Sequence, residues 1–302
     1  VELNFGCPHG MSERGMGAAV GQVPEYVKMV TEFVKEKSRI PVLVKLTPNV
    51  ADVRFPARAA KAGGADGVAL INTINSLMGI DLKTLKPKFS VGGKLSHGGY
   101  CGPAVKPIAL NMVSQIATDP ETRGLPISGI GGISTWSDAV EFMLLGSSSV
   151  QLCTAVMHYG FRIIEELNAG LEDWMADRGF SKTTDFIGLS APAIVDWKHL
   201  NLHHKTVASI DKAKCISCDL CYVACNDTAH QCIVIDRKKK GNRKPQVIES
   251  DCVGCNLCSL VCPVDGCITM KEVKTGHAPL SWDQYAKGGM KGYKEVYKRM
   301  HS

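Results

Sequence analysis

The sequence has no long apolar run and no targeting signal. Its 302 residues contain no stretch near the roughly 18 consecutive apolar positions that a membrane-spanning helix needs. The N-terminus does not show the charged and then apolar pattern of a secretory signal. We therefore expect a cytoplasmic protein that does not enter a membrane.

The sequence also lacks a dinucleotide-binding motif and the pattern of a nucleic-acid-binding patch. The pattern Gly-x-Gly-x-x-Gly, which opens the pyrophosphate site of Rossmann folds, does not occur, so a nicotinamide cofactor is expected to bind another protein. The formal net charge is +6, and much of the excess lies in the basic stretch 237–244. No aromatic residues interleave with these charges, which favours a solvated hairpin tip over a nucleic-acid patch.

Cysteine, by contrast, is abundant. Eight of the thirteen cysteines fall in two runs with the spacing Cys-x2-Cys-x2-Cys-x3-Cys, the pattern of bacterial ferredoxins with two [4Fe–4S] clusters. Zinc sites usually pair two short spacers instead. The fourth cysteine of each run is expected to reach the other cluster. The expected ligands are Cys215, Cys218, Cys221 and Cys262 for the first cluster, and Cys252, Cys255, Cys258 and Cys225 for the second.

The first run departs from the ferredoxin pattern at its end. Asn226 follows Cys225 where ferredoxins usually place proline, so we expect a different local turn with unchanged ligation. Five cysteines lie outside the runs. Cys7 is treated below, and the other four are expected to be buried small apolar residues: Cys101, Cys153, Cys232 and Cys267.

Residues 1–178 alternate short β-branched runs with amphipathic helical stretches, which predicts a parallel α/β sheet. Helices are expected to begin near Pro24, Val50, Val105, Thr135 and Met157. The five expected strands are Val1–Phe5, Pro41–Lys45, Gly67–Asn72, Pro126–Gly129 and Ser149–Cys153.

Polar or glycine-rich segments follow these strands, at the end where barrel enzymes place their chemistry. Gly131 and Gly132 precede a helix and predict a phosphate cradle of backbone N–H groups. A second cradle is predicted at Cys153 and Thr154, before the next helix. This pair matches the phosphate site that TIM barrels build after strands seven and eight.

If those are strands seven and eight, the five strands are strands four to eight of a barrel. Five strands cannot close a TIM barrel, and the sequence opens at Val1 without methionine. We therefore expect a fragment that lacks about a hundred residues, or three βα units. Alone it should aggregate and bind flavin weakly or not at all.

Several motifs together resemble the dihydropyrimidine dehydrogenase family, in its bacterial NAD-dependent form. They are Asn4-Phe5-Gly6-Cys7-Pro8-His9-Gly10-Met11, Glu13-Arg14-Gly15-Met16-Gly17, Lys45-Leu46-Thr47-Pro48-Asn49 and Asn72-Thr73. The resemblance covers essentially the whole chain and implies an FMN-binding TIM barrel followed by an α+β ferredoxin domain. It also implies reduction of uracil or thymine to the 5,6-dihydropyrimidine. In that reaction hydride moves from FMN N5 to C6 while an acid protonates C5.

The resemblance also implies roles for individual residues. Cys7 matches the proton donor, and Asn4, Asn72 and Thr73 match residues that bind the pyrimidine edge, with strand-end capping as the alternative for these three. Lys45 matches the lysine near the flavin N1/O2 edge. Gly102 belongs to a segment, 98–103, in which glycines let the backbone approach the flavin. Gly6 stands where mammalian members have serine. His9 and Arg14 are expected to shape the Cys7 loop.

The expected organisation is a partial barrel at 1–178, a packing linker at 179–210, a ferredoxin domain at 211–272 and a tail at 273–302. The pair His203-His204 is expected to be structural. Electrons are expected to pass from NAD(H) on a partner flavoprotein with FAD, through the two clusters, to FMN. The alternatives are a dihydroorotate dehydrogenase-like enzyme and an electron carrier on a non-catalytic scaffold.

Overall fold

The computed structural model describes residues 1–9, 14–200, 204–235 and 243–274. It divides into two compact units, Val1–Val195 and Asp196–Ser302, and each is described by itself below. Within the described ranges no helix has both the length and the apolar character needed to cross a membrane. The basic residues 237–240, His203 and the tail from 275 onward lie outside the described residues.

The first unit is built on a five-stranded parallel sheet, whose strands pair in the order in which they occur along the chain. The five predicted strands are confirmed, each within three residues of its expected bounds. The strand Gly67–Leu70 is buried along its whole length, as expected for a parallel strand covered on both faces. The strands are β1 (Glu2–Asn4), β2 (Leu43–Lys45), β3 (Gly67–Leu70), β8 (Ile127–Ile130) and β9 (Ser149–Gln151).

Helices alternate with these strands and supply the outer layer. Pro24 occupies the first turn of α2, where its missing N–H costs no hydrogen bond. Lys35 and Lys37 lie in the last turn of α2, where positive charge is favourable. The helices are α1 (Ala18–Gly21), α2 (Pro24–Lys37), α3 (Arg54–Ala62), α4 (Lys106–Thr118), α5 (Trp136–Leu144), α6 (Thr154–Tyr159) and α7 (Ile163–Arg178).

The sheet curves so that its first and last strands approach each other through side chains. Gln151 Nε2 on β9 donates to Glu2 Oε2 on β1 at 2.7 Å. The backbones of these two strands do not pair: in the described ranges, β1 pairs through its backbone only with β2, and β9 only with β8. The sheet of this unit therefore forms a curved barrel wall, and polar side chains connect its two ends.

An excursion between β3 and α4 was not predicted from the sequence. Strand β4 (Ile74–Ser76) pairs antiparallel with β7 (Gly98–Tyr100), and β5 (Ile80–Asp81) pairs with β6 (Lys86–Pro87). Ser76 Oγ donates to the carbonyl of Gly98 at 3.1 Å. This excursion places residues 98–102 over the carboxyl end of the parallel sheet, where the site described below lies.

In its described residues, the second unit contains two antiparallel strand pairs and two short α-helices. Strand β10 (His204–Ile210) pairs with β13 (Ile268–Lys274) over seven residues. Strand β11 (Ile233–Val234) pairs antiparallel with β12 (Gln246–Val247). The helices are α8 (Leu220–Asn226) and α9 (Leu257–Leu260), each of which carries cysteines of the two runs.

The predicted linker at 179–210 is not a separate segment. Phe186 is fully buried and its ring centroid lies 5.0 Å from that of Trp174, so residues after α7 pack on the first unit. His204 opens strand β10, which belongs to the sheet of the second unit. The ferredoxin fold therefore begins seven residues before the predicted position 211, and β13 continues to Lys274, beyond the predicted end at 272.

Candidate flavin and pyrimidine site

One cavity at the carboxyl end of the parallel sheet collects the residues predicted to bind flavin and pyrimidine. Its volume is about 220 Å³, which is room for an organic group rather than one ordered water. The walls come from the ends of all five parallel strands, from residues 100–105 and from the start of α6. The predicted residues in its lining are Asn4, Lys45, Asn72, Thr73, Gly102, Gly131, Gly132, Cys153 and Thr154.

Lys45 provides the positive charge in this cavity. Its ammonium lies 3.1 Å from Glu2 Oε1 and 3.4 Å from Gln151 Oε1, and its side chain is 18% exposed. Gln151 also donates from Nε2 to Ser128 Oγ at 3.1 Å. The lysine is therefore held from strands on both sides of the curved sheet. Glu2 and Gln151 were missed by sequence reasoning, although both lie in predicted strands.

Asn4 and Asn72 form an amide cluster at the cavity wall. Asn4 Oδ1 accepts hydrogen bonds from Asn72 Nδ2 at 2.9 Å and from the backbone N–H of Gly6 and of Cys7. Asn72 Oδ1 accepts from the N–H of Thr73 at 2.8 Å. These contacts fit the capping alternative, and the two residues also line the cavity.

Asn49 is a further residue that sequence reasoning did not single out for binding. Its Nδ2 donates to the carbonyl of Thr73 at 3.1 Å, and its Oδ1 accepts from the N–H of Asn75 at 2.8 Å. The side chain therefore ties the start of β4 to the segment after β2. The position of Asn49 in a polar segment after a strand was the available signal.

Cys7 lies in the loop after β1, next to the cavity rather than in its lining. Its Sγ is 3.7 Å from His9 Nδ1, and His9 Nε2 accepts from the N–H of Gly99 at 3.0 Å. Because Nε2 is an acceptor, a neutral His9 carries its proton on Nδ1, facing the sulfur. His9 therefore joins the Cys7 loop to strand β7, while Arg14 is exposed.

The close approach of the Asn72 side chain explains the glycine at position 6. A Cβ added to Gly6 would lie 2.4 Å from Asn72 Cβ, closer than real Cβ contacts allow. A serine here needs a shift of Asn72. The shape of this wall therefore depends on the absence of a side chain at Gly6.

Three glycines shape the expected phosphate end of the cavity. Gly102, Gly131 and Gly132 have φ values of 90°, 134° and 80°, which other residues rarely adopt. A Cβ on Gly132 would lie 2.9 Å from the carbonyl oxygen of Gly102. Thr154 and Cys153, at the start of α6, line the same cavity. The two predicted cradles are thus brought together.

Asp138 in α5 limits which backbone groups remain for a ligand. Its carboxylate accepts from the N–H groups of Ser134 and Thr135, both at 2.9 Å, and from Lys106 Nζ at 2.6 Å. Those two N–H groups are therefore occupied. Burial alone would raise the pKa of Asp138, but these hydrogen bonds outweigh burial and lower the pKa to about 2.

We expect Asp138→Asn to destabilise the first unit at neutral pH. The lowered pKa stabilises the folded state above about pH 4, and this contribution is lost as the pH falls toward 2. The variant should lose about 1 to 2 kcal/mol of unfolding free energy at pH 7, less than the full shift because solvent screens the partly exposed Lys106. Urea unfolding at pH 7 and pH 3 measures the difference.

The matched control is Asp173→Asn, an exposed position of α7 with the same change of charge. It should leave the unfolding free energy within a few tenths of a kcal/mol of the wild type, roughly 0.5 at most. A loss for Asp138→Asn that is the same at both pH values would show that its ionisation is not the cause.

The cysteines of the second unit converge on two cavities. One contains Cys215, Cys218, Cys221 and Cys262, and the other contains Cys225, Cys252, Cys255 and Cys258. The fourth cysteine of each run thus lies with the first three of the other run. Burial raises the pKa of the Cys221 thiol to about 11, so metal binding is needed to hold it as thiolate at neutral pH. In the described residues no three of these side chains are placed to share a single metal ion. A [4Fe–4S] cluster binds one cysteine at each iron instead, so the number, type and grouping of the cysteines fit a pair of such clusters.

The prediction that four other cysteines are buried is half right. Cys232 and Cys267 are buried in the second unit. Cys101 and Cys153 are exposed, because they line the open cavity of the first unit rather than its core. The general preference of cysteine for burial did not account for a position at a cavity wall.

Comparison with known proteins defines the class of protein. The family model for dihydroorotate dehydrogenase matches residues 1–175, and the model for the 4Fe-4S dicluster domain matches residues 208–270. The chain therefore belongs to the dihydroorotate dehydrogenase family of flavin-dependent oxidoreductases, here joined to a two-cluster ferredoxin domain.

Individual relatives refine this placement. The chain is 46% identical over 274 residues to the NAD-dependent dihydropyrimidine dehydrogenase subunit PreA of Escherichia coli (strain K12), covering 91% of this chain and 66% of that protein. It is 47% identical to the chloroplastic dihydropyrimidine dehydrogenase (NADP(+)) of Arabidopsis thaliana over 63% of this chain and 45% of that one. The catalytic subunit of dihydroorotate dehydrogenase B of Pyrococcus abyssi is 43% identical over 63% and 60%. The chain thus spans less than two thirds of each relative.

Proposed function

We propose that this chain is the catalytic subunit of an NAD-dependent dihydropyrimidine dehydrogenase. In this role it reduces uracil or thymine to the 5,6-dihydropyrimidine in the cytoplasm. The observation that carries the proposal is the single cavity that combines Lys45, the Asn4–Asn72 amide cluster and three glycines, with Cys7 beside it. The 46% identity to a dihydropyrimidine dehydrogenase subunit supports it.

The residues of the cavity divide between cofactor and substrate. FMN, when bound, supplies hydride chemistry and exchanges single electrons with iron–sulfur clusters. We assign its phosphate to the backbone at Gly131, Gly132, Cys153 and Thr154, and its ring to Lys45 and Gly102. Lys45 places positive charge where a reduced ring carries negative charge. Glu2 and Gln151 orient the lysine from two strands.

Substrate binding is assigned to the amide cluster. Uracil presents carbonyl acceptors that amide N–H groups can match. Because Asn4 Oδ1 already accepts three hydrogen bonds, Asn4 would bind a uracil carbonyl through its Nδ2 group. Asn4, Asn72 and Thr73 lie within a network of short hydrogen bonds, so their groups are held in place before the substrate arrives. Such preorganisation lowers the entropy cost of binding.

We assign Cys7 as the acid that protonates C5. A thiol is a weak acid that can release its proton to a developing carbanion. His9 Nδ1 lies 3.7 Å from the sulfur, where a donated hydrogen bond stabilises the thiolate that remains. The loop at Cys7 is tied to Asn4, so the donor and the substrate edge share one anchor.

The two clusters are proposed to deliver electrons one at a time. Their ligands are the two sets of four cysteines in the second unit. NAD(H) is assigned to a partner flavoprotein subunit with FAD, because the chain has no dinucleotide fingerprint of its own. A hetero-oligomer follows from this assignment.

A second candidate is a dihydroorotate dehydrogenase, which is favoured by the family model over residues 1–175 and by the Pyrococcus abyssi relative. The test is to add dihydrouracil or dihydroorotate to the protein with excess FMN and to record the flavin band. Bleaching by dihydrouracil alone supports the proposal, and bleaching by dihydroorotate alone supports the second candidate. Bound FMN that neither compound reduces would favour an electron carrier on a non-catalytic scaffold.

Replacement of Cys218 should separate the two halves of the electron path. We expect Cys218→Ala to reduce the iron content from about eight to about four per chain, because each cluster needs a full ligand set. NADH-driven turnover with the partner subunit should stop, while flavin reduction by dihydropyrimidine persists. Ser250→Ala, at an exposed residue of the same unit, is the control. Retained NADH-driven turnover would mean that electrons bypass this unit.

A further inference from the structure

Each cluster cavity is lined by five cysteines rather than four. The first cavity contains Cys267 beside its four proposed ligands, and the second contains Cys232. A [4Fe–4S] cluster binds one cysteine at each of its four irons. One thiol in each cavity is therefore left without an iron, and neither was assigned a function by its motif.

The extra thiol of the second cavity lies against a ligand. Cys232 Sγ is 3.5 Å from Cys225 Sγ, and both residues are buried. A disulfide would need about 2.05 Å, so the two sulfurs are in contact without a bond. Two thiols at this separation face the same corner of the cavity, where only one of them can bind iron at a time.

The backbone holds Cys232 in this position. The carbonyl of Cys232 accepts from the N–H of Ile248 at 2.7 Å, and the next residue opens strand β11, which pairs with β12. Cys225 lies in the last turn of α8. The two sulfurs are thus presented by independently anchored elements, so loss of one side chain does not displace the other.

The corresponding pair in the first cavity is arranged differently. Cys267 Sγ points to the carbonyl of Asp211 at 3.7 Å, and Cys262 Sγ points to the carbonyl of Val264 at 3.6 Å. Cys267 also hydrogen-bonds to Cys262, but each of these two thiols has a backbone acceptor as well. The thiols of Cys225 and Cys232 face each other at 3.5 Å. The inference is therefore confined to the second cavity.

We propose that Cys232 is a reserve ligand of the second cluster, able to take the iron that Cys225 binds. In the exchange the bond from iron to the Cys225 sulfur breaks and a bond to the Cys232 sulfur forms. The proton of the Cys232 thiol passes to Cys225, and no electron is gained or lost. This inference rests on the proposed cluster ligands and extends them by one residue.

The test compares iron and sulfide contents of the purified full chain, with the electron paramagnetic resonance spectrum of the reduced clusters. Cys225→Ala should keep about eight iron per chain, with an altered signal from one cluster. Cys225→Ala/Cys232→Ala should fall to about four. Cys255→Ala, at an exposed ligand of the same cluster, should also fall to about four, because Cys232 contacts Cys225 and Cys252 instead.

The iron content distinguishes failure of this proposal from failure of the two-cluster assignment. About four iron in Cys225→Ala, or about eight in the double variant, would overturn the proposal. About four iron or zinc in the wild type would instead refute the two-cluster assignment.

A second variant covers the case in which Cys225→Ala does not fold. Cys232→Ala keeps all four proposed ligands and should hold both clusters, yet it should lose one of them several-fold faster than the wild type under an iron chelator. A loss at the wild-type rate would contradict a reserve function.

Discussion

Cys7→Ala is expected to lower the rate of pyrimidine reduction by about 10²- to 10⁴-fold, the usual contribution of a positioned acid. Uracil should still bind, because the amide cluster of Asn4 and Asn72 does not use the thiol. Reduced FMN should therefore persist in the presence of uracil, which stopped-flow absorbance measures directly. Cys7→Ser should retain a trace of activity, since a hydroxyl is a poorer acid at neutral pH.

The binding affinity for uracil serves as the internal control for this variant. An affinity that falls together with the rate would place Cys7 in substrate binding rather than in proton transfer. Turnover at the wild-type rate would make Cys7 structural, and another acid would then be needed at C5.

Lys45→Met is expected to have the second largest effect. Loss of a positive charge aimed at a site of developing negative charge typically costs about 10²- to 10³-fold in rate. The variant also leaves Glu2 beside the cavity without its cation, which opposes a reduced, anionic ring. Rates of flavin reduction by dihydropyrimidine and the flavin midpoint potential are the measurements, and both should fall.

Lys35→Met is the matched control for charge removal. Lys35 pairs with Asp66 at 2.6 Å on the surface of α2, away from the cavity lining. Its replacement should leave both quantities near the wild-type values. An unchanged midpoint potential in Lys45→Met would show that the lysine does not face the flavin.

The parallel strands could be predicted from the sequence because each is a short β-branched run followed by a polar segment. The excursion at 74–100 could not. Its strands are two or three residues long, and β7 contains two glycines, so no periodic signal exists. Strand β10 was also missed, because its partner β13 lies some sixty residues later in the chain.

The residues of the candidate site could be predicted from the sequence, but the side-chain contacts between them could not. The resemblance named Lys45, Asn4 and Cys7, while the pairing of Lys45 with Glu2 and Gln151 depends on how far the sheet curves. The contact of His9 with Gly99 depends on the unpredicted strand β7. Long-range side-chain partners of this kind follow from tertiary geometry, which local pattern does not encode.

The exchange of one cysteine between the two runs affects how the second unit folds. Each cavity draws three cysteines from one run and one from the other, so neither cluster can be completed before both halves of the unit are in place. Binding free energy from metal is then also folding free energy. When iron is scarce, the unit should populate open states that proteases cleave. The cellular amount of this protein is therefore expected to follow the iron supply.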